Sequence, residues 1–314
     1  MKLAFILDPL DSLKIAKDTS VAIMREAARR GHALFVAEQG DLLLRDGRAR
    51  LQAAPITLQT GADWYTLGAK TEHAPEDFDA ILMRKDPPFD SEYVYSTYLL
   101  ELAEQQGARV LNRPQSIRDW NEKLSVARFP QFAPSFLVTR DEAEIRAFLT
   151  THGDIVVKPL DGMGGSGVFR LHAADHNIGV ILETITHFGR RTVMAQRYLP
   201  EIKAGDKRIL VIDGHPVPYA LARIPKAGET RGNLAAGGTG VAQPLTPRDR
   251  EIADTLGPVL KQAGLFLVGL DVIGDHLTEI NVTSPTCMVE IAAQTDCDPA
   301  ALFVDVLERT CAAG

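Results

Sequence analysis

Asp154 to Leu171 reads DIVVKPLDGMGGSGVFRL, and the fold turns on how this stretch is read. Ile155 to Val157 is a β-branched run that predicts a short strand, ended by Lys158 and Pro159. Gly162, Gly164, Gly165 and Gly167 fall within six positions, and Val168 to Leu171 predicts a second strand. Glycines at this density let backbone N–H groups approach a ligand closely, and phosphate oxygens are the usual ligand. Lys158 sets a cation beside them. The run from Gly162 to Gly167 matches the letters of a G-x-G-x-x-G fingerprint, but that motif needs a helix at its third glycine and here a strand follows. No Gly-Lys-Ser/Thr makes it a P-loop either. What remains is a glycine flap between two strands that can fold over phosphates; the bland alternative is a glycine-rich hairpin with a structural turn.

A chain of 314 residues has room for about two domains. Its 45% hydrophobic and 24% charged content is ordinary for a soluble globular protein. A net charge of −7 without a Lys/Arg run argues against a nucleic-acid binder. Cys287, Cys297 and Cys311 form no C-x-x-C, so neither a disulfide framework nor a zinc knuckle is implied. The opening MKLAFILDPLD is too short in apolar residues for a secretory leader, and no run approaches a membrane span. The expectation is a cytoplasmic protein with no membrane partner.

Working outward, Leu3 to Leu7 predicts a buried strand, residues 18–30 a capped helix stopped by Gly31, and Ala33 to Ala37 a second strand, so a small parallel sheet opens the chain. Asp46-Gly47 marks a hairpin between Leu42–Leu44 and Arg50–Leu51. Arg84, Lys85 and Asp86 follow the strand Asp79 to Met83, where an α/β sheet faces its ligand crevice, although solvated loop charges explain them equally well. A helix is expected to contain Lys123. Arg208 to Ile212 and Val217 to Ile224 predict paired strands turning at Asp213-Gly214. Residues 226–241 are glycine-rich and poor in core formers, which predicts a lid that orders with ligand. Arg248 to Gly264 predicts a helix, Leu267 to Ile273 and Leu277 to Val282 two strands, and the tail two helices.

The second informative stretch is VGLDVIGDHLTEINVTSPT, residues 268–286. Glu279 and Asn281 are two apart on a strand and share a face, with Asp271 on the strand before. Two carboxylates and a carboxamide oxygen suit Mg²⁺, which bridges substrate phosphates; the alternative is a half-exposed strand with solvated polar residues. For Asp271 to join the other two, its pairing register matters. A two-residue turn at Gly274-Asp275 pairs Asp271 with Thr278 and puts it on the wrong face. A three-residue loop, or a bulge of the same effect, pairs it with Glu279. Ligand needs favour the odd register, and that is the expectation.

Lysine before a glycine flap, a later Arg strand and Asp…Glu-x-Asn resemble the ATP-grasp superfamily. VKPLDGMGG, GDKRILVIDG, RIPKAGETRGNLAAGG and TEINVTSPT resemble bacterial glutathione synthetases over nearly the whole chain. The resemblance implies a Rossmann-like pre-ATP-grasp domain (1–121), a central lobe with the flap (122–199) and a C-terminal lobe with lid and metal strands (200–314). It implies an ADP-forming ligase joining γ-glutamylcysteine to glycine with ATP and two Mg²⁺ (or Mn²⁺) through an acyl phosphate, in a homo-oligomer, dimer or tetramer. By the same resemblance Lys123, Lys158, Gly164, Gly165 and Ser166 meet phosphates. Gln196, Arg197, Tyr198 and Leu199 line the adenine slot, and Asp206 touches the ribose or orders its turn. Arg208 and Arg231 act on the transferring group; Asp271, Glu279 and Asn281 hold metal; Arg223, Arg231, Asn233 and Ser284 contact substrate. The pattern departs at Thr239, where relatives are expected to carry Arg. The rivals are another carboxylate–amine ligase of the superfamily, making D-alanyl dipeptides or extending a protein tail, and a non-catalytic nucleotide sensor; the lid string opposes the first and the intact metal triad the second.

Overall fold

The computed structural model describes residues 1–61, 63–229, 231–232, 234 and 237–313. The strand Lys2–Leu7 is buried from Leu3 onward, as a central parallel strand must be. It pairs in parallel with Ala33–Glu38 on one side and Ala80–Met83 on the other, and Val110–Leu111 extends the parallel set. Asp18 caps the crossover helix Thr19–Arg29 by accepting from the Val21 N–H at 2.9 Å. The hairpin at Asp46-Gly47 is present, but its second strand, Arg48–Leu58, runs beyond the expected Leu51. It pairs antiparallel with Ala33–Glu38 and with two short strands, Tyr65–Leu67 and Thr71–His73. Gln52 to Pro55 have weak strand propensity, so only these tertiary pairings extend it.

On the helix Ser91–Gln105, burial pushes the Glu104 carboxyl up to about 7, against the pull of Arg113. A raised folded value means stability present in full below about 4.5, the unfolded value, and lost as pH rises through 7. Glu104→Gln, which mimics the protonated form, is therefore expected to melt higher than the parent at pH 8 and level with it at pH 4.5. Thermal unfolding at the two pH values checks this; equal differences at both would refute it.

A second sheet is antiparallel, in the order Phe169–His172, Asp154–Pro159, Val193–Arg197, Phe136–Thr139. Ile155, Val157, Val193 and Ala195 pack against the helices Glu142–His152 and Ile178–Ile185 through Ile145, Leu149 and Leu182. Alternation then sends Val156, Lys158 and Gln196 to the opposite face. The glycine loop joins the first two strands, so it is the turn of a hairpin as expected.

The third sheet, also antiparallel, runs Thr239–Pro244, His215–Ile224, Asp206–Ile212, Leu267–Ile273, His276–Asn281. The helix Pro247–Gln262 backs it through Ile252, Leu256 and Leu260. Two expectations are corrected here. Thr239–Pro244 is an edge strand, with Thr239 opposite Ile224, so the stretch without strand pairing expected to form a lid stops at residue 238 rather than 241; pairing, not propensity, holds this glycine-containing strand. Thr239 itself is exposed. Lys123 is not inside a helix: it lies between the helix Pro114–Asp119 and the 3-10 turn Leu124–Arg128. Among the described residues no helix is long and apolar enough to cross a membrane.

Candidate active site

The second and third sheets face each other across a cleft of about 1040 Å³, its solvent-open mouth included. Val156, Val168, Ile202 and Ile273 supply apolar wall, and Gln196, Arg197, Tyr198 and Leu199 form one edge. The Gln196 Nε2 and the Asp206 Oδ1 are buried without a hydrogen-bond partner among the described residues. Buried polar atoms are rarely left so, and both are placed for a ligand to satisfy. Arg170, which the sequence reading passed over, stacks on the Tyr198 ring at 3.8 Å and pairs with Asp154. The pairing explains its place: Arg170 stands opposite Val156, whose side chain lines the cleft.

At the other end of the cleft Lys123 and Lys158 are buried and converge. The Lys123 Nζ donates to the Gly162 carbonyl at 2.7 Å and lies 3.8 Å from the Glu279 carboxylate. The Lys158 Nζ donates to the same carboxylate and to the Thr278 carbonyl, both at 3.3 Å. Burial pushes the Lys158 ammonium down. Burial alone would push Glu279 up; the two lysines overcome it and hold the carboxyl below its ordinary value. Arg231 pairs with Glu229 at 2.7 Å and reaches the Gly165 carbonyl at 3.4 Å, so the stretch expected to form a lid touches the glycine loop. Glu122 was also missed. Its carboxylate accepts from the Val282 and Thr283 N–H groups at 3.1 and 3.3 Å and from the Thr283 hydroxyl at 2.8 Å, tying the linker to the end of the strand His276–Asn281.

The register question has a mixed answer. The turn at Gly274-Asp275 is the two-residue kind, with Ile273 opposite His276, so the three-residue loop is wrong. A bulge between Asp271 and Val272 on the partner side, with Thr278 as the extra residue, nevertheless sets Asp271 opposite Glu279. Glu279 and Asn281 line the cleft with Asp271, while Leu277, Ile280 and Val282 enter the core. The bulge also aims the Thr278 carbonyl at Lys158.

Asp271 is buried between two guanidiniums. The Arg208 Nε donates to it at 2.5 Å and Arg223 pairs with it at 2.8 Å. Burial would raise the Asp271 carboxyl, but Arg208 and Arg223 outweigh that and hold it well below the usual carboxylate range. Arg223 also pairs with Asp206 at 2.6 Å, and burial still pushes Asp206 up to about 6. Gly269 lets Arg208 lie flat: a Cβ there would sit 2.8 Å from the Arg208 Cδ. The cleft thus gathers Lys123, Lys158, Gly164, Gly165, Ser166, Gln196 to Leu199, Asp206, Arg208, Arg231, Asp271, Glu279 and Asn281. Arg223 does not line the cleft and instead braces Asp206 and Asp271. Ser284 does not line the cleft and is half-buried. Asn233 falls outside the described residues.

Among the described residues no group of three or more His, Cys, Asp or Glu is arranged to hold a metal. Two carboxylates and the Asn281 amide oxygen, hard donors beside the Lys123 and Lys158 ammoniums, fit Mg²⁺ that takes its remaining ligands from phosphates and water.

Two family profiles match the chain: "Prokaryotic glutathione synthetase, N-terminal domain" over residues 1–118 and "Prokaryotic glutathione synthetase, ATP-grasp domain" over residues 122–296. The chain is 63% identical to the glutathione synthetase of Nitrosomonas europaea, covering 99% of each chain. It is 54% identical to that of Salmonella typhimurium, covering 98% of each. Among solved structures, D-cycloserine synthetase DcsG superposes with a TM-score of 0.69 at 16% identity over 98% of this chain and 99% of that one. The ATP-grasp ligase PsnB, complexed with minimal precursor, Mg and ADP, superposes with 0.64 at 17% identity over 99% and 98%. At such identities these two speak for the fold alone, a two-lobed ATP-grasp module behind a Rossmann-like domain.

Proposed function

The chain belongs to the prokaryotic glutathione synthetase family, and from that premise we propose that the cleft joins the cysteinyl carboxylate of γ-glutamylcysteine to the amine of glycine, with ATP converted to ADP and phosphate. The observation that carries the reading is the convergence of Lys123, Lys158, Arg208 and the Asp271–Glu279–Asn281 face in one cleft, where Gln196 Nε2 and Asp206 Oδ1 have no partner among the described residues. The three spans 1–121, 122–199 and 200–314 serve as its domains, because each sheet falls within one of them.

A carboxylate is a poor electrophile, since resonance and charge repel an amine. Phosphorylation at one of its oxygens leaves a neutral carbonyl with a leaving group, and the amine then displaces phosphate. Such transfer is mostly positioning and charge neutralisation, so cations suffice and no nucleophilic Ser or Cys is required. Lys123 and Lys158, two buried ammoniums, neutralise phosphate oxygens, and Gly164, Gly165 and Ser166 bring backbone N–H groups over them. Gln196 to Leu199 read the base edge, with Asp206 towards the ribose. Arg208 steadies the transferring phosphoryl group, and Arg231 closes flap to lid so that water is kept from the acyl phosphate. Glu279, Asn281 and Asp271 would hold two Mg²⁺ (or Mn²⁺) ions, which supply further neutralisation of phosphate charge. Arg223 acts by fixing Asp206 and Asp271. Cytoplasmic location and a homo-oligomeric state, dimer or tetramer, rest on the family resemblance; light scattering tests the second.

The reaction is tested with ¹⁸O in the cysteinyl carboxylate. ADP release should require both γ-glutamylcysteine and glycine, and one labelled oxygen should appear in the released phosphate. Label retained wholly in the peptide, or AMP as product, sinks the mechanism.

A further inference from the structure

Lys123 brings a buried ammonium to the cleft, yet neither cleft sheet contains it. It lies on an irregular turn between the helix Pro114–Asp119 and the 3-10 turn Leu124–Arg128. Asn281 is no better supported by its own element, as the last residue of His276–Asn281, an edge strand of the third sheet. Edge strands lack pairing on one side, and the ends of elements are among the first parts to open. Both groups nevertheless need a fixed spacing. A Mg²⁺ ion that joins protein oxygens to phosphates sets where those phosphates lie, and Lys123 must meet the same phosphates.

One short segment meets both needs. The Asn121 Nδ2 donates to the Leu160 carbonyl at 3.0 Å, just before the glycine loop, while its Oδ1 accepts from the Lys123 and Leu124 N–H groups at 3.1 and 2.9 Å. The Glu122 carbonyl accepts from the Ile280 N–H at 2.8 Å, so the segment covers the open edge of the strand. Beyond the last paired residue, the Glu122 carboxylate takes the Val282 N–H at 3.1 Å together with the N–H and hydroxyl of Thr283. Asn281 therefore stands between two residues whose N–H groups both end on Glu122. Its own Nδ2 donates to the Gly269 carbonyl at 3.1 Å, which leaves the amide oxygen as the group to offer the cleft. We propose that Glu122 is a positioning residue of the nucleotide site, holding the Lys123 ammonium and the Asn281 oxygen at one spacing through the hydrogen bonds of its carbonyl and carboxylate. A carboxylate suits the task because all three side-chain bonds converge on one of its oxygens, and an alanine would leave those donors unpaired. The inference rests on the ligase reading above and extends it to how the site keeps its geometry.

The test reads the site with and without turnover. Calorimetric titration of the full chain with Mg²⁺ and the non-hydrolysable ATP analogue AMPPNP measures binding alone. Glu122→Ala should weaken AMPPNP binding, and raise the Mg²⁺ needed for half-maximal activity, each by about 10- to 100-fold, as the loss of a group that orients metal ligands does. The KM for glycine at saturating MgATP should not change. Glu122→Gln should recover most of the loss, since its amide oxygen accepts from the same donors. A merely structural role would lower the melting temperature of the ligand-free protein and leave the nucleotide affinity of the folded protein intact. Should Glu122→Ala fail to fold, Thr283→Val, which removes only the hydroxyl bond, carries the comparison with a smaller loss in the same direction. Unchanged AMPPNP and Mg²⁺ affinity in the variant that folds, or a Glu122→Gln protein as weak as Glu122→Ala, overturns the proposal. ADP release by the parent with γ-glutamylcysteine and glycine checks the reaction separately; its absence overturns the ligase reading, while the binding comparison still decides this one.

Discussion

Replacing Glu279 by Gln is expected to lower turnover by about 10²- to 10³-fold while the protein still folds cooperatively. The side chain keeps its shape and its place two residues from Asn281, opposite Asp271. What it loses is the charge that faces Lys158 at 3.3 Å and Lys123 at 3.8 Å. A neutral amide is a weak ligand for Mg²⁺, so the variant's activity should need far more of the ion. The lysines, left without their shared counter-charge, should also bind phosphates in a less defined position. Steady-state rates across a Mg²⁺ titration, with circular dichroism for the fold, decide the matter. Full activity at saturating Mg²⁺ would mean that the metal lies elsewhere.

The second large effect is on stability and comes from the back of the same sheet. On the strand Asp206–Ile212, Asp206 and Arg208 face the cleft, so Lys207 must face the other way. There it meets Asp249, which is fully buried and also accepts from the Thr246 N–H at 3.0 Å as part of a capping box. Asp249→Ala strands the Lys207 ammonium and uncaps the helix Pro247–Gln262, and a loss of about 3–5 kcal/mol is expected. The double change Lys207→Met with Asp249→Leu should recover much of it, since the buried charge then disappears with its partner. Urea unfolding of Asp249→Ala, of the single changes Lys207→Met and Asp249→Leu, and of the double variant is the measurement; additive losses in the double variant would show that the pair is not coupled.

Much of the site was legible because strand alternation is a local rule. Glu279 and Asn281, Val156 and Lys158, and Asp206 and Arg208 are each two apart, and the pleat sends both members of each pair to one face wherever the strand lies. The flap was legible because glycines clustered after a strand and before another admit few other uses. The family strings then tied these fragments to one chemistry.

Other features depended on contacts far apart in the chain. The Gly274-Asp275 turn is what local turn chemistry favours, and it is present; the bulge at Thr278 that returns Asp271 to the face of Glu279 is visible only in the pairing. Thr239–Pro244 and the end of Arg48–Leu58 are strands because an edge was free to pair with them, not because their residues prefer extension. Arg223, read from the sequence as a substrate contact, stands opposite Asp206 on the same face and pairs with both Asp206 and Asp271. Local composition thus determined which residues carry chemistry and which neighbours share a face. Only the tertiary structure decided which distant charges neutralise one another, since that depends on where separate strands stop and how deeply each pair is withdrawn from water.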